Sequence, residues 1–298
     1  MSRRILLIDD DRLQFRLTQE QFKQFQTDAY ELDWAATYEE GLVKLLGGGY
    51  AACLLDYQLG GRDGLELIRE AVAAGCRTPI IFLTAETSER VDTAAMNAGA
   101  LDYLVKGELN PRALERSLRY ALKLGDTLEQ LRLLATCDQL TGLLNRREFD
   151  RMLAEETERA RRFNRPLALL MLDLDHFKVI NDEHGHPAGD AVLQGLARRL
   201  KGELRSVDRL ARYGGEEFAV ILVETSPAAA LETAQRLRSA VQREPFALPS
   251  GPTLPLTISA GVAVLPVHAP DAPELVRAAD RALYAAKHAG RNRVMLAE

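Results

Sequence analysis

The chain has 298 residues, a hydrophobic content of 47%, a charged content of 27% and a formal net charge of −5. These values are ordinary for globular protein and leave room for two domains, each with its own core. The slightly acidic balance gives no reason to expect general binding to nucleic acid or to an anionic membrane surface, and no apolar run approaches the ~20 residues of a membrane helix.

The N-terminus and the cysteines predict a cytoplasmic protein without membrane insertion. The strand-like run Ile5–Ile8 begins almost at once, without a secretory signal pattern before it. The cysteines, Cys53, Cys76 and Cys137, are scattered and odd in number, which is typical of reduced thiols.

The first third of the chain alternates short apolar runs with amphipathic stretches. Four runs have the length and composition of buried parallel strands: Ile5–Ile8, Ala51–Leu55, Ile80–Leu83 and Leu101–Val105. Helical patterns such as Gly64–Ala74 and Ser88–Ala98 lie between them. This alternation predicts a doubly wound α/β domain with a parallel sheet.

A long helix is predicted after Pro111, a residue that suits a first helical turn. Apolar and small side chains then recur at alternating spacings of four and three: Leu114, Ser117, Ala121, Leu124, Leu128, Leu131 and Ala135. This heptad-like stripe favours a helix that pairs with its copy in a second subunit, and the alternative is a single helix packed on its own domain. Gly125 weakens the helix by about 1 kcal/mol relative to Ala.

The remaining chain has a different order of elements. The predicted elements are a helix Arg146–Arg162 capped by Asn145, strand Leu167–Leu174, helix Ala188–Leu204, strands Arg209–Tyr213 and Phe218–Leu222, helix Pro227–Arg243, strand Leu256–Ala263, helix Pro273–His288 and strand Arg293–Leu296. This βαββαβ-like order predicts a ferredoxin-like α+β core.

Three acidic residues lie where two predicted strands end. Asp173 follows an apolar run, and Glu216 and Glu217 follow Gly214-Gly215, which predicts a tight hairpin with both glycines at positive φ. Carboxylates at adjoining strand ends can share divalent ions such as Mg²⁺, the layout of two-metal phosphoryl chemistry. Taken alone, the feature also fits a solvated acidic hairpin tip.

Four further motifs surround these acids in order. They are DQLTGLLNRR at 138–147, DLDHFKVIND at 173–182, GHPAGD at 185–190 and KHAGRNR at 287–293. Together with GGEEF at 214–218, they resemble the GGDEF family of diguanylate cyclases, in its Glu-Glu form, over about residues 137–298. The resemblance implies that two GTP molecules are converted into cyclic di-GMP and two pyrophosphates.

The resemblance also implies roles for the acids and for the substrate-binding residues. Asp173, Glu216 and the carbonyl of Leu174 would hold Mg²⁺, with Mn²⁺ as an alternative, and Glu217 would bind a second metal or assist deprotonation. The substrate-binding positions are His176, Phe177, Lys178, Asn181, Asp190, Lys287 and Arg291. The carboxylate of Asp190 can accept from both N1 and N2 of guanine, a donor pair that adenine lacks.

Some of these positions have a simpler alternative. Lys178 also fits solvated surface charge, and Asp190 also fits the N-cap of the helix that follows. Lys287 and Arg291 are four residues apart and would share a helix face if the helix extends that far.

An Arg-x-x-Asp motif, Arg205 to Asp208, precedes the Gly-Gly pair. At this offset it resembles the family's product-inhibition site, in which an arginine binds phosphate or stacks on guanine. Arg236 in the next predicted helix is a candidate second contact for cyclic di-GMP.

Polar residues end the strands of the first domain, at positions that gather at the carboxyl edge of a parallel sheet. They resemble the receiver domain of bacterial response regulators over residues 3–124. The resemblance implies that Asp56 accepts a phosphoryl group from a histidine kinase or phosphotransfer protein. The further implied positions are Asp9, Asp10, Asp56 and the carbonyl of Gln58 for Mg²⁺, Thr84 and Lys106 for the phosphoryl group, and Tyr103 as an aromatic switch.

Two positions of this domain fit the receiver pattern less closely. Tyr103 is also compatible with an ordinary aromatic residue on a final strand. Gly107 stands where receiver domains usually have proline, which predicts a looser loop.

The predicted organisation is a flavodoxin-like (βα)5 receiver domain at 1–110, a helical connector at 111–136 and a GGDEF-type domain at 137–298. The predicted function is a homodimeric, phosphorylation-controlled diguanylate cyclase with product inhibition. The alternative is an effector that binds nucleotide or a partner without turnover. A DNA-binding response regulator is excluded, because the C-terminal half has no helix-turn-helix pattern or basic face.

Overall fold

Two separate five-stranded sheets organise the described part of the chain, one in each of its two units, Met1–Leu131 and Arg132–Glu298. The computed structural model describes residues 2–26, 29–85, 89–248, 251 and 253–298. None of the helices within those ranges is both long and apolar enough to cross a membrane.

The first unit alternates strands with helices, as the sequence pattern predicts. Its elements are β1 Arg3–Ile8, α1 Arg12–Phe22, β2 Tyr30–Ala35, α2 Tyr38–Gly47, β3 Ala52–Asp56, β4 Gln58–Leu59, β5 Arg62–Asp63, α3 Gly64–Ala73, β6 Ile80–Thr84, α4 Glu89–Ala98, β7 Asp102–Val105, a 3₁₀ turn Lys106–Glu108 and α5 Pro111–Thr136. The five long strands are parallel in the order β2-β1-β3-β6-β7, which confirms the flavodoxin-like arrangement.

The sequence pattern missed one strand of this unit, and one residue of a predicted helical stretch is not described. The strand that the pattern did not locate is β2, which lies at the edge of the sheet, is only partly buried and contains acidic residues. Ser88, the first residue of a predicted helical stretch, lies outside the described residues, and α4 begins at Glu89.

Alternation along β1 divides the core of the first unit between the two faces of its sheet. Leu6 and Ile8 pack with residues of α2 and α3, whereas Ile5 and Leu7 pack with residues of α5. The α5 residues in this second cluster are Leu114, Leu118, Ala121 and Leu122.

The packing of α5 corrects the predicted heptad stripe. Leu114, Ser117 and Ala121 are buried within their own unit, so the first half of the stripe is not available for a partner helix. Farther along, Leu124, Leu128 and Leu131 are 44%, 48% and 56% exposed. Gly125 directly follows Leu124, and a Cβ atom there would come within 2.4 Å of Pro79 Cγ, so glycine permits a close approach.

The second unit has an antiparallel sheet with helices on both faces. Its elements are α6 Arg146–Phe163, β8 Leu167–Leu174, α7 Phe177–His184, α8 His186–Gly202, β9 Arg209–Gly214, β10 Glu217–Val223, α9 Pro227–Arg243, β11 Phe246–Ala247, β12 Thr253–Leu254, β13 Ile258–Leu265, α10 Ala272–His288 and β14 Val294–Leu296. The sheet order is β14-β13-β8-β10-β9, with β8 antiparallel to both β10 and β13.

This topology matches the predicted ferredoxin-like core. The strands β8, β9, β10 and β13 form the core, and β14 adds a parallel strand beside β13. The sequence pattern missed α7, because the helix has only 8 residues. Helix α8 begins at His186, two residues before the predicted start at Ala188.

Candidate functional sites

At the carboxyl edge of the first sheet, three side chains from different strand ends meet. Lys106 Nζ lies 2.9 Å from Asp9 Oδ2 and 2.8 Å from Asp56 Oδ1. Carboxylate oxygens of Asp9, Asp10 and Asp56 lie within 4.8 Å of one another. A divalent cation such as Mg²⁺ prefers a donor set of this kind, composed entirely of oxygen.

Burial makes this carboxylate cluster electrostatically unfavourable. It raises the pKa of Asp56 to about 6, although the hydrogen bond from Lys106 acts in the opposite direction. Burial likewise raises the pKa of Asp9. Burial alone would lower the pKa of Lys106, but its hydrogen bonds to Asp56 and Asp9 raise it overall. A bound divalent cation would offset the same negative charge.

Neighbouring backbone and indole groups hold the acidic residues in place. Asp9 Oδ1 accepts from the N–H of Asp11 at 2.9 Å, and Asp10 Oδ2 accepts from the N–H of Gly60 at 2.8 Å. Trp34 Nε1 donates to the carbonyl of Asp9 at 2.8 Å, and its ring stacks on Phe15 at 5.0 Å between centroids. Sequence reasoning missed Trp34 because it did not locate β2.

The other predicted positions of the first unit lie around this edge. Thr84 is buried at the end of β6, and Gln58 begins the short strand β4 that follows Asp56. Tyr103 lies in the edge strand β7 with 39% of its surface exposed. Gly107 lies inside the 3₁₀ turn after β7.

In the second unit, strands β9 and β10 form a hairpin, residues 209–223, which we call the acidic hairpin. Gly214 pairs with Glu217, so the turn consists of Gly215 and Glu216, and a bulge follows between Glu217 and Phe218. Neither glycine is at positive φ, so the predicted reason for the Gly-Gly pair is wrong. Gly214 instead leaves room for a side chain, because a Cβ there would come within 3.2 Å of Glu217 Oε2.

The acidic residues of the hairpin lie beside Asp173 on the neighbouring strand β8. Glu217 is directly opposite Asp173 in the antiparallel register, which places both side chains on one face of the sheet. The N–H of Leu174 donates to the carbonyl of Glu216 at 3.3 Å. Lys287 Nζ of α10 lies 2.6 Å from Asp173 Oδ2.

Charge and burial oppose each other at these acids. Burial raises the pKa of Asp173 against the effect of its hydrogen bond with Lys287. Burial and the charge of Asp173 also raise the pKa of Glu216. Within the described residues, Asp173, Glu216 and Glu217 do not form a trio as close as that of the first unit. Asp173, Glu216 and the carbonyl of Leu174 are oxygen donors that suit Mg²⁺.

The residues after β8 form an anion-binding geometry. The backbone of His176 is in the left-handed conformation, with φ 61°, and α7 begins at Phe177. The first N–H groups of a helix lack intrahelical partners and attract anions. Lys178 is exposed in the first turn of α7.

Lys287 and Arg291 do not share a helix face, because the helix does not extend as far as that arrangement requires. Helix α10 ends at His288, because Gly290, Arg291 and Asn292 all have positive φ. Arg291 is therefore brought to the site by a loop, and its charge still acts on Asp173. Lys287 also lines a cavity of about 600 Å³ together with Glu217 and Tyr284.

The two predicted guanine-reading residues lie on adjacent helices, α7 and α8. A Cβ at Gly189 would lie 2.1 Å from Asn181 Oδ1, so only glycine lets the Asn181 side chain rest against α8 beside Asp190. Asp190 is exposed. The N-cap of α8 is Gly185, so the capping alternative for Asp190 is wrong.

The Arg-x-x-Asp motif forms an ion pair beside a cavity of about 430 Å³. Arg205 Nη2 lies 2.8 Å from Asp208 Oδ1 and also donates to Thr225 Oγ1 at 3.0 Å. Arg236 Nη2 donates to the carbonyl of Glu203 at 3.0 Å.

Comparison with known proteins identifies similar sequences for both units. Residues 135–293 match the family model described as "Diguanylate cyclase, GGDEF domain", and residues 5–119 match "Response regulator receiver domain". The "Probable diguanylate cyclase DgcC" of Escherichia coli is 41% identical over 61% of this chain and 48% of its own length. The "Response regulator PleD" of Caulobacter vibrioides is 43% identical over 59% of this chain and 39% of its own length. The chain thus matches about half or less of these relatives.

Solved structures resemble the second unit. The GGDEF domain of PA1120 from Pseudomonas aeruginosa has a TM-score of 0.53 and 40% identity, covering 54% of this chain and 94% of that chain. The coiled coil and GGDEF domain of DgcB from Caulobacter crescentus, solved in complex with c-di-GMP, has a TM-score of 0.58 and 34% identity, covering 62% of this chain and 98% of that chain.

Proposed function

The chain belongs to the GGDEF family of diguanylate cyclases, and we propose that it converts two GTP molecules into cyclic di-GMP and two pyrophosphates. We assign the reaction to residues 137–298, with a receiver domain at 1–110 and a connector at 111–136. The observation that carries the proposal is the position of Asp173, which lies opposite Glu217 in the sheet, beside the turn that contains Glu216, and 2.6 Å from Lys287.

In the proposed site, Asp173, Glu216 and the carbonyl of Leu174 would hold Mg²⁺, or alternatively Mn²⁺. A bound divalent cation supplies a lower pKa for the attacking 3′-hydroxyl and offsets charge on the leaving pyrophosphate. Glu217 accepts the hydroxyl proton or holds a second cation.

The remaining residues bind and orient GTP. The backbone N–H groups of His176 and Phe177 donate to triphosphate oxygens at the start of α7, and the cations Lys178, Lys287 and Arg291 neutralise the charge of those oxygens. Asn181 and Asp190 hold the guanine edge. Because Asp190 can accept from N1 and N2 together, it selects guanine over adenine.

The proposed reaction needs two copies of the chain. One GGDEF-type domain holds one GTP, so the 3′-hydroxyl that attacks its α-phosphate comes from the GTP of a second copy. The exposed leucines Leu124, Leu128 and Leu131 of α5 provide an apolar stripe for pairing. A helix pair of this kind would raise the effective concentration of the two domains.

The receiver domain would supply the control. Asp56 accepts a phosphoryl group from a histidine kinase or phosphotransfer protein, and Lys106 and Thr84 contact the phosphoryl oxygens. Asp9, Asp10, Asp56 and the carbonyl of Gln58 would hold Mg²⁺. Tyr103 moves inward on phosphorylation, and the change favours the paired state.

Product inhibition is the third part of the proposal. Cyclic di-GMP would bind beside the cavity and replace the intramolecular bonds of Arg205 and Asp208. Arg236 would be a further contact. The guanidinium of Arg205 suits a phosphate or a guanine edge.

The test is to identify the products that the purified protein makes from GTP and Mg²⁺, with and without a small phosphodonor, and to repeat the assay with ATP. Cyclic di-GMP from GTP, at a rate raised by the phosphodonor, is the expected result. Nucleotide binding without turnover would support the alternative, an effector in a cytoplasmic signalling pathway. No described residue favours that alternative, because every matched acidic and cationic position is filled.

A further inference from the structure

A buried carboxylate that the proposed mechanism does not use lies just beyond the end of β8. Asp175 is only 4% exposed. Its oxygens accept from Thr257 Oγ1 at 2.6 Å, from Ser259 Oγ at 2.7 Å and from the N–H of Asn292 at 3.0 Å. Asp175 therefore connects the end of β8 to the start of β13 and to the loop that follows α10.

The loop that reaches Asp175 has an unusual backbone. Arg291 and Asn292 have φ of 60° and 44°, a region that residues other than glycine rarely adopt. Asn292 is held on two sides, because its N–H donates to Asp175 and its Oδ1 accepts from Arg238 Nη1 at 2.8 Å. The N–H of Arg291 donates to the carbonyl of Ala286 at 3.1 Å. These contacts fix the direction in which the chain leaves α10.

The same loop carries Arg291, whose charge acts on Asp173. Asp173 lies two residues before Asp175, so a single segment supplies a metal-binding acid and the anchor of the cationic loop. A change at Asp175 therefore alters where Arg291 is held without removing any group that contacts the nucleotide.

We propose that Asp175 is a positioning residue that holds Arg291 against the triphosphate of GTP by fixing the left-handed Arg291-Asn292 backbone. The inference rests on the proposed function for its substrate. Arg238 supports the same backbone from α9 and has the same role.

A double-mutant cycle tests the proposal. The variants are Asp175→Asn, Arg291→Ala and the two combined. In Asp175→Asn, the new amide cannot accept from all of the donors around it, while the side-chain volume is kept. Because loss of a charge-assisted hydrogen bond weakens binding by about tenfold or more, each single variant should raise KM for GTP by roughly tenfold with a smaller change in kcat. The double variant should resemble Arg291→Ala alone.

Independent effects would overturn the proposal. If Asp175 only supports the fold, its effect on KM multiplies with that of Arg291→Ala, giving about a hundredfold rise in the double variant. Melting temperatures measured on the same samples identify any variant that is not folded.

A second variant covers the case in which Asp175→Asn does not fold. Arg238→Gln removes the other support of Asn292 and leaves the buried carboxylate intact. Arg238→Gln should also raise KM for GTP, and its combination with Arg291→Ala should have the KM of Arg291→Ala alone. An unchanged KM in Arg238→Gln, or a double variant in which the two effects multiply, would contradict the shared role.

The same cycle, run by calorimetry with the α,β-methylene analogue of GTP, separates this inference from the proposed function. If the wild-type protein binds the analogue but makes no cyclic di-GMP from GTP in a separate assay, the proposed activity fails. The affinities of the variants for the analogue still test the role of Asp175. That role is supported if the effects of the two substitutions are non-additive, and it is contradicted if they multiply.

Discussion

Arg212 links Asp138 to the turn of the acidic hairpin. Its Nη1 lies 3.1 Å from Asp138 Oδ2, and its Nε donates to the carbonyl of Gly215 at 2.9 Å. Asp138 follows the last residue of α5 by two positions and also accepts from the N–H and hydroxyl of Thr141. The segment that begins the second unit is therefore tied by one arginine to the backbone next to Glu216.

The first prediction concerns the stability of this link. Burial would raise the pKa of Asp138, but its bonds with Thr141 and Arg212 lower it overall from the ordinary value of 3.8. A lowered folded-state pKa gives stability that is present above the unfolded-state pKa and lost as pH falls through the folded-state pKa. Asp138→Asn should destabilise the protein by about 1–2 kcal/mol at neutral pH.

Thermal melting from pH 7 down to acid measures this effect. The difference between wild type and Asp138→Asn should be constant near neutrality and shrink as pH falls below the ordinary carboxyl pKa of 3.8. A difference that stays constant into acid would show that the charge of Asp138 contributes nothing. The exposed Asp182→Asn, on α7, is the control and should behave as wild type throughout.

The second prediction concerns phosphorylation at Asp56. Asp56→Asn keeps the size of the side chain but removes the nucleophile, so a phosphodonor should no longer stimulate cyclic di-GMP synthesis. Product formation with and without phosphodonor measures the effect. Undiminished stimulation of the variant would refute the control scheme.

The protein's single tryptophan, Trp34, provides a fluorescent probe of metal binding beside Asp56. Because Trp34 donates to the carbonyl of Asp9, Mg²⁺ should change its fluorescence in wild type. Asp9→Asn should weaken the response by about tenfold or more. An equal response in both proteins would place Mg²⁺ elsewhere.

The sequence predicted most elements because their signals are local. Strand β8 has the predicted bounds Leu167–Leu174, and α9 begins at Pro227 as predicted. The edge strand β2 was not located because Glu31 and Asp33 interrupt its apolar residues, so it lacks the continuous apolar run of its neighbours.

Contacts between distant residues could not be read from the sequence. Asp175 meets Asn292 only through the fold, and nothing in the spacing of α5 distinguishes the buried Leu114 from the exposed Leu128. The pairing of Asp173 with Lys287 was not predicted as a contact, although both residues were assigned to one site.

The third prediction concerns product inhibition. Arg205→Ala removes a guanidinium that would bind phosphate or guanine, so the concentration of cyclic di-GMP needed for half inhibition should rise by about tenfold or more. Initial rates over a series of product concentrations measure the effect. Arg198→Ala, an exposed arginine on α8, is the matched control. An unchanged inhibition curve for Arg205→Ala would contradict the assignment of Arg205 to the product-inhibition site.

The fourth prediction concerns the exposed stripe of α5. Leu128→Glu places a charge among Leu124 and Leu131, so it should weaken self-association by about tenfold or more and lower the rate at low protein concentration. Sedimentation velocity measures the association. Gln130→Glu adds the same charge on another side of the helix and should leave association unchanged. Equal behaviour of both variants would argue against this stripe as the pairing surface.

The most direct test of the central claim is the rate of cyclic di-GMP synthesis by Asp173→Asn compared with wild type at saturating GTP and Mg²⁺. The substitution preserves shape but removes the carboxylate opposite Glu217 and beside Lys287. We predict a fall in kcat of about a hundredfold or more, and a melting temperature which shows that the variant is folded. Wild-type turnover by the folded variant would contradict the assignment of Asp173 and Glu216 as the acids that drive the reaction.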